Sequence, residues 1–166
     1  PIARDIMRSL SAPGHTYKAR LIKTCKTHKH PEAVTFRNVH AASRYCFAGL
    51  SHWLARVLKS KVREFPHIVK DSQEAARRLM NMPMLVGDRL VKLDVKEFFM
   101  SGDCDSLVDD VGSSFSGPLK QLVSRALYFL LQHQYIFSSS LPGRLYKVIR
   151  GSGTVSYTHL TLPTIR

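Results

Sequence analysis

One segment of the sequence, residues 90–99, combines an apolar run with a single carboxylate, that of Asp94, and ends in two aromatic residues. Its alternation predicts a β-strand with Val91, Leu93 and Val95 on one face and Asp94 on the other. An unpaired carboxylate is costly to bury, and a divalent cation that takes oxygen ligands is one way to offset that cost. The segment therefore predicts a strand that presents Asp94 to a metal ion. The alternative is a solvent-facing aspartate on an edge strand.

The composition limits the class of protein that can carry such a site. The 166 residues suit one domain, or two subdomains that share a core, and the hydrophobic content of 44% is ordinary for a globular protein. A net charge of +13 is not ordinary, and it favours a polyanionic partner, with nucleic acid ahead of a membrane. We find no apolar run long enough to cross a bilayer and no signal peptide.

The cysteines and the first residue bear on where the chain resides. Three widely spaced cysteines, Cys25, Cys46 and Cys104, form neither a disulfide framework nor a zinc pattern. We therefore expect a reducing compartment, nuclear or cytoplasmic, and no secretion. The sequence starts with Pro1 instead of methionine, so we expect a processed chain or a fragment.

The charges are unevenly distributed along the chain. Thirteen Lys or Arg residues fall within residues 1–65, whereas residues 88–110 contain seven acids. This pattern is typical of a protein that grips phosphates on one surface and holds cations on another, although an uneven distribution without function is equally compatible with it.

The basic part contains a predicted hairpin. Two strands, within residues 18–30 and 34–39, are expected to pair about a turn at residues 30–32. Such a hairpin would lay Lys26, Lys29 and Arg37 against a triphosphate or a nucleic-acid backbone, because the planar guanidinium of arginine binds two oxygens at once. Lys23 and Arg44 are further candidate nucleic-acid contacts, and the alternative is a solvated basic surface. His28 and His30 lack the neighbouring ligands that a metal site needs.

Helical patterns fill most of the remaining sequence. Residues 43–63 are predicted to form a helix with one apolar stripe, and Ser43 is its candidate N-cap. Trp53 lies in that stripe, so we expect it in the core rather than stacked on a base. A second helix begins near Ser72, capped by Asp71 with Glu74 or by Ser72 alone. Its predicted buried side comprises Ala75, Ala76, Leu79 and Met80. A short helix with Leu107, Val108 and Val111 on its apolar side follows the turn at residues 101–106.

A third long helix opens at Ser116 and Pro118, and we expect it to be well buried because it is apolar on more than one side. Residues 135–137 and 145–149 flank a bend at Pro142 and Gly143 and predict a second hairpin. The two ends fit no element: residues 1–17 are expected to be a frayed lead-in or the end of a lost element. Residues 155–166 are expected to be a non-native tail translated from adapter or vector sequence.

Five motifs occur in an order that resembles the fingers and palm of a reverse transcriptase, an RNA-directed DNA polymerase. They comprise Lys26-Thr27-His28-Lys29, Phe36-Arg37-Asn38-Val39, the leucine-rich residues 50–58, Lys70-Asp71-Ser72, and residues 93–99. The resemblance is greatest to Penelope-like and similar eukaryotic retroelement enzymes and covers roughly residues 18–154. It implies an α+β fold that forms part of a right-hand polymerase. Residues 18–87 would be fingers-like and residues 88–154 a partial palm, truncated before the catalytic Asp-Asp hairpin.

The resemblance also implies roles for individual residues. Asp94 would be the first catalytic aspartate and, with the backbone around Val95, would hold Mg²⁺ in a two-metal nucleotidyl transfer from dNTPs onto an RNA or DNA template-primer. Lys29 and Arg37 would clamp the triphosphate. Phe99 would lie beneath the sugar and exclude a 2′-hydroxyl, and Gly151 would open the next palm motif, where the backbone approaches the template and nucleotide.

Several positions depart from the family pattern. Asn38 stands where a proline is usual, no glutamine occurs within residues 147–150, and the paired aspartates of the next palm hairpin are absent. Asp109 and Asp110 come too early and lie in a predicted helix. We therefore expect this polypeptide alone to lack polymerase activity. The alternatives are a non-catalytic basic nucleic-acid-binding protein from a decayed retroelement and a structural or interaction module with a basic surface.

Overall fold

A computed structural model of the chain describes residues 2–25, 36–42, 44–95, 101–140 and 142–151. The described elements are five helices and four strands, which makes the predicted α+β class correct. In chain order they are α1 (Ile2–Ser11), β1 (Lys18–Cys25), β2 (Phe36–Ala41), α2 (Ala48–Val62), α3 (Ser72–Met80), α4 (Cys104–Ser113), α5 (Gly117–Gln132), β3 (Tyr135–Phe137) and β4 (Leu145–Lys147).

The four strands form one sheet in the order β2-β1-β3-β4. Both predicted hairpins are confirmed, because β1 pairs antiparallel with β2 and β3 pairs antiparallel with β4. The turn predicted at residues 30–32 lies outside the described residues. The two hairpins are joined by a parallel pairing of β1 with β3, in which Lys18 lies opposite Tyr135 and Arg20 opposite Phe137.

The main hydrophobic core lies between α2, α4 and α5. Its buried members are Trp53, Leu54, Val108, Val123, Ala126, Leu127 and Leu131. Trp53 is therefore a core residue, as the stripe predicted. The starts of α4 and α5 also match the sequence: Asp103 caps α4 through the N–H of Ser106, and Ser116 precedes α5 with Pro118 in its first turn.

Helix α2 begins later than predicted. Its first helical residue is Ala48 and the residue at its N-cap position is Phe47, whereas Ser43 lies outside the described part of the chain. The approach to the helix is shaped by tertiary hydrogen bonds that no local pattern reveals. The N–H of Thr16 donates to the carbonyl of Arg44, and the N–H of Cys46 donates to the carbonyl of Thr16.

Residues 2–11 form α1, so this part of the segment expected to be a frayed lead-in or the end of a lost element is helical. Isoleucine and leucine recur at helical spacing in this segment, at positions 2, 6 and 10. The Ser9 hydroxyl donates to the carbonyl of Cys46 at 2.9 Å and accepts from the N–H of Gly49 at 3.0 Å. These bonds join α1 to the start of α2, so a short helix that is marginal alone gains tertiary support.

Helix α3 has the predicted cap but not the predicted buried side. The Asp71 carboxylate accepts from the N–H of Glu74 at 2.8 Å, and the Glu74 carboxylate accepts from the N–H of Lys70 at 2.8 Å. No α3 residue is buried, and Met80 is 85% exposed. The helix therefore relies on its cap and on the Glu74–Arg78 ion pair.

Candidate functional site

The structure does not form the strand predicted around Asp94. Residues 88–95 are irregular and each is exposed, and Leu93 on the expected inner face is 87% exposed. A strand needs neighbours for its backbone hydrogen bonds, and the described sheet is completed by β1 to β4 without this segment. Asp94 therefore lies on an exposed segment instead of a buried strand, and Val95 lies beside it.

The described carboxylates do not form a metal centre. Within the described ranges, no three histidine, cysteine or acidic side chains come together in a way that could hold a metal ion. Asp109 and Asp110 lie in α4, as predicted, and are exposed. The two-metal chemistry implied by the resemblance needs several oxygen ligands. Among the described residues Asp94 has no such partners, so these residues do not fit a complete Mg²⁺ site.

The candidate phosphate-binding residues lie on and near the first hairpin. Lys23 is exposed on β1 opposite Asn38, and Arg37 lies in β2 opposite Thr24, on the neighbouring rung. Arg44 is exposed in the turn between β2 and α2. The side chain of Arg37, and Lys26, Lys29 and Phe99 altogether, lie outside the described residues. The hairpin thus places Lys23 and the backbone of Arg37 on neighbouring rungs, which belong to opposite faces of the sheet.

Gly151 occupies a buried junction. With a φ of 68°, it adopts a conformation that favours glycine. Its N–H donates to the carbonyl of Gly102 at 3.0 Å, and its carbonyl accepts from the Gln134 side-chain amide at 3.4 Å. Gln134 is buried and directly precedes β3, a role the sequence analysis missed. The sequence signal for a buried Gln134 was its position between an apolar helix and a predicted strand. The junction connects the end of β4 to the loop before α4.

A second group that the sequence analysis missed lies on the sheet. Lys18 and Arg20 of β1 line up with Tyr135 and Phe137 of β3, and Lys147 of β4 lies opposite Tyr135. The Lys18 ammonium lies 5.2 Å from the centroid of the Phe137 ring, which is a cation–π distance. These five residues form what we call the basic–aromatic face. The parallel pairing of β1 with β3 creates this face. In the sequence, the alternation of charged residues in β1 was the only indication of it.

Two side chains with titratable groups, those of His40 and Tyr45, are buried in the fold. Burial lowers the pKa of His40 below its ordinary value, so this imidazole is neutral at physiological pH. The Tyr45 hydroxyl donates to the backbone carbonyl of His133, and burial raises the pKa of this phenol. The titratable side chains of Cys46 and Tyr135 lie near Tyr45 and raise its pKa further.

Comparison with known proteins gives no relative from which a role can be transferred. No family model matches the chain, and neither the curated proteins nor the solved structures contain a significant match. Among the described helices, none is long and apolar enough to cross a membrane.

Proposed function

We propose that this chain is part of a retroelement reverse transcriptase, in which it binds the template-primer through its basic surface and contributes Asp94 to the polymerase centre. The observation that carries this proposal is the basic hairpin of β1 and β2. Lys23 and the backbone of Arg37 lie there on adjacent rungs, in the part of the chain where the resemblance requires phosphate-binding residues. The net charge of +13 is consistent with a nucleic-acid partner.

No catalytic step is assigned to this polypeptide alone. Nucleotidyl transfer by two metals requires carboxylates from more than one segment, and the described residues supply Asp94 without partners. In this proposal, binding belongs to the chain itself, whereas catalysis belongs to a longer parent protein. Asp94 would act only where further carboxylates are brought to it.

A second candidate function is nucleic-acid binding without catalysis. It is favoured by one observation, the exposure of every residue from 88 to 95 around Asp94, because a metal ligand is usually fixed by its surroundings. The two functions differ in what Asp94 does. In a parent polymerase its loss abolishes synthesis, whereas in a binding protein its loss has no effect on any activity.

The first experiment measures binding by the purified chain. Fluorescence anisotropy with a labelled primer–template is recorded at increasing salt concentration. We expect a linear fall of log affinity with log salt, with a slope of about 0.7 to 0.9 per phosphate contact. Lys23→Gln should reduce that slope more than the matched charge loss Lys120→Gln, which is on α5. Failure to bind at low salt would overturn both functions.

The second experiment tests catalysis. We expect no primer extension by this chain with Mg²⁺ and dNTPs. The full-length coding sequence should extend the primer, and Asp94→Asn should abolish extension while affinity for the primer–template is kept. An unaffected Asp94→Asn enzyme would refute the assigned role of Asp94, and extension by the present chain would show that its site is complete.

A further inference from the structure

The two faces of the sheet differ in what they expose. Residues opposite each other in a sheet share a face, and alternate residues along a strand lie on the same side. The face that contains Ala19 and His40 is buried at both positions. On the other face Lys18, Arg20 and Lys147 are exposed, and Tyr135 and Phe137 are partly exposed. The basic–aromatic face is therefore open to solvent where β1 pairs with β3.

The charges on this sheet favour an anionic ligand. Strands β1, β3 and β4 contain no acidic residue. The three cations lie beside two aromatic rings, and Tyr17, just before β1, extends the aromatic row by an edge contact with Tyr135 at 6.4 Å between ring centroids. Tyr17 is itself 55% exposed. Proteins that bind unpaired nucleotides combine aromatic rings, on which the bases stack, with nearby cations that contact the phosphates.

We propose that the basic–aromatic face binds single-stranded nucleic acid. Bases would stack on Phe137 and Tyr135, while Lys18, Arg20 and Lys147 contact the backbone phosphates. A duplex fits this face less well, because its bases are already stacked on each other and do not offer their faces. Lys18 places its ammonium over the Phe137 ring, so a phosphate bound by Lys18 would lie close to a base stacked on Phe137. This inference rests on the nucleic-acid binding of the proposed function and locates part of it.

The test compares a labelled oligothymidylate with a hairpin duplex of equal length, by anisotropy at several salt concentrations. Phe137→Leu keeps an apolar side chain but removes the stacking surface. We expect it to weaken single-strand binding about 5- to 100-fold without changing the salt slope, and to leave duplex binding unchanged. Lys18→Gln should instead lower the slope by about 0.7. Tyr128→Leu is the matched control, since Tyr128 is an exposed aromatic residue on α5 and should have no effect.

A second measurement uses the unaltered protein, so that it does not depend on the folding of any variant. Oligonucleotides that carry 5-iodouracil are photo-crosslinked to the chain, and the attached peptides are identified by mass spectrometry. We expect crosslinks at Tyr135, Phe137 or Tyr17. Crosslinks confined to other segments would overturn the inference.

The outcomes separate this inference from the proposed function. A chain that binds no nucleic acid refutes the proposed function and the inference with it. A chain that binds single strands and duplexes equally, with no effect of Phe137→Leu, refutes the sheet-face inference alone. Binding to anionic lipid vesicles that is sensitive to Phe137→Leu, without such sensitivity for the oligonucleotide, would also overturn it.

Discussion

Among single residues, Tyr45 has the most defined surroundings. It is 5% exposed, its ring meets that of Phe47 edge-to-face at 5.3 Å between centroids, and its hydroxyl donates to the carbonyl of His133. Tyr45 thereby connects the segment before α2 with the C-terminal end of α5. Burial is the largest reason that its pKa is raised, and the neighbouring Cys46 and Tyr135 raise it further. The neutral phenol is the form that the fold favours.

This environment predicts how stability depends on alkaline pH. Because the pKa of Tyr45 is higher in the folded state than its ordinary value of 10.0, its contribution to stability is complete below pH 10 and is lost as pH rises above that value. Tyr45→Phe should lower the free energy of unfolding by about 0.5–1.5 kcal/mol at neutral pH, because the hydrogen bond is lost. Above pH 10, the free energy of unfolding of this variant should fall less steeply with pH than that of the wild-type protein. Urea unfolding of both proteins at neutral pH and above pH 10 measures this difference.

The control for that prediction is Tyr128→Phe, on the exposed surface of α5. It should change the free energy of unfolding by less than about 0.5 kcal/mol and leave its pH dependence unaltered. If Tyr45→Phe and the wild-type protein lose stability in parallel above pH 10, the burial of the Tyr45 phenol has no energetic consequence, and the prediction is wrong.

Asp103 gives a second prediction for a single residue. Its carboxylate accepts from the Ser106 hydroxyl at 2.6 Å and from the Ser106 N–H at 2.9 Å, and both bonds lower its pKa. Since the folded pKa is depressed, the cap is complete above the ordinary value of 3.8 and is lost as pH falls below it. Ser106→Ala should raise the pKa of Asp103 towards 3.8, as measured by NMR titration. An unchanged pKa would contradict the assigned hydrogen bond.

Helices α4 and α5 pack closely at Gly112 and Ser124. A Cβ atom added to Gly112 would lie 2.5 Å from the Ser124 hydroxyl oxygen, and 3.8 Å from the Ser124 Cβ atom. Glycine inside a helix is otherwise unfavourable by about 1 kcal/mol relative to alanine. The helix contact therefore explains why a buried glycine stands at this position of α4.

A pair of substitutions tests that explanation. Gly112→Ala alone should destabilise the protein by about 1–3 kcal/mol because of overpacking. Adding Ser124→Ala removes the obstructing oxygen and leaves an ordinary contact, so the double variant should recover the loss and gain from helix propensity. Thermal unfolding of the two single variants and the double variant measures this coupling. Equal losses for Gly112→Ala with and without Ser124→Ala would contradict it.

The elements that the sequence predicted correctly are those specified locally. The cap at Asp71, the Pro118 start of α5 and the pairing of both hairpins follow from patterns a few residues long. The parallel pairing of β1 with β3 joins residues more than a hundred positions apart, and no local pattern encodes it. The basic–aromatic face depends on that pairing, which is why its five residues were not recognised together.

The misassigned elements have the same cause. The alternation in residues 90–95 is that of a strand, but a strand exists only where a neighbouring strand supplies hydrogen-bond partners, and the described sheet supplies none to this segment. Helix α1 was missed for the converse reason, because contacts of Ser9 with Cys46 and Gly49, far along the chain, stabilise a short helix that is marginal alone. Of the candidate site, the sequence indicated the basic hairpin, whereas the described structure brings no further ligands to Asp94.

The molecule as a whole is unevenly packed. One helical core and a sheet account for the buried residues, whereas residues 79–95 are exposed throughout. This segment is rich in apolar side chains, and Met80 and Leu85 are 85% and 76% exposed. Backbone that has few buried contacts opens easily and is cut readily by proteases. The exposed segment contains two trypsin sites, at Arg89 and Lys92.

Limited digestion with trypsin tests this distribution of stability across the molecule. We expect cleavage after Arg89 and Lys92 well before cleavage after Arg125, because Arg125 is exposed as a side chain but its backbone is held in α5, beside the buried Leu127. Time-resolved mass spectrometry of the fragments gives the order. If the bond after Arg89 survives as long as the bond after Arg125, residues 79–95 are covered or folded in solution. Asp94 would then lie in a constrained setting, and the case for a preorganised catalytic aspartate would be strengthened.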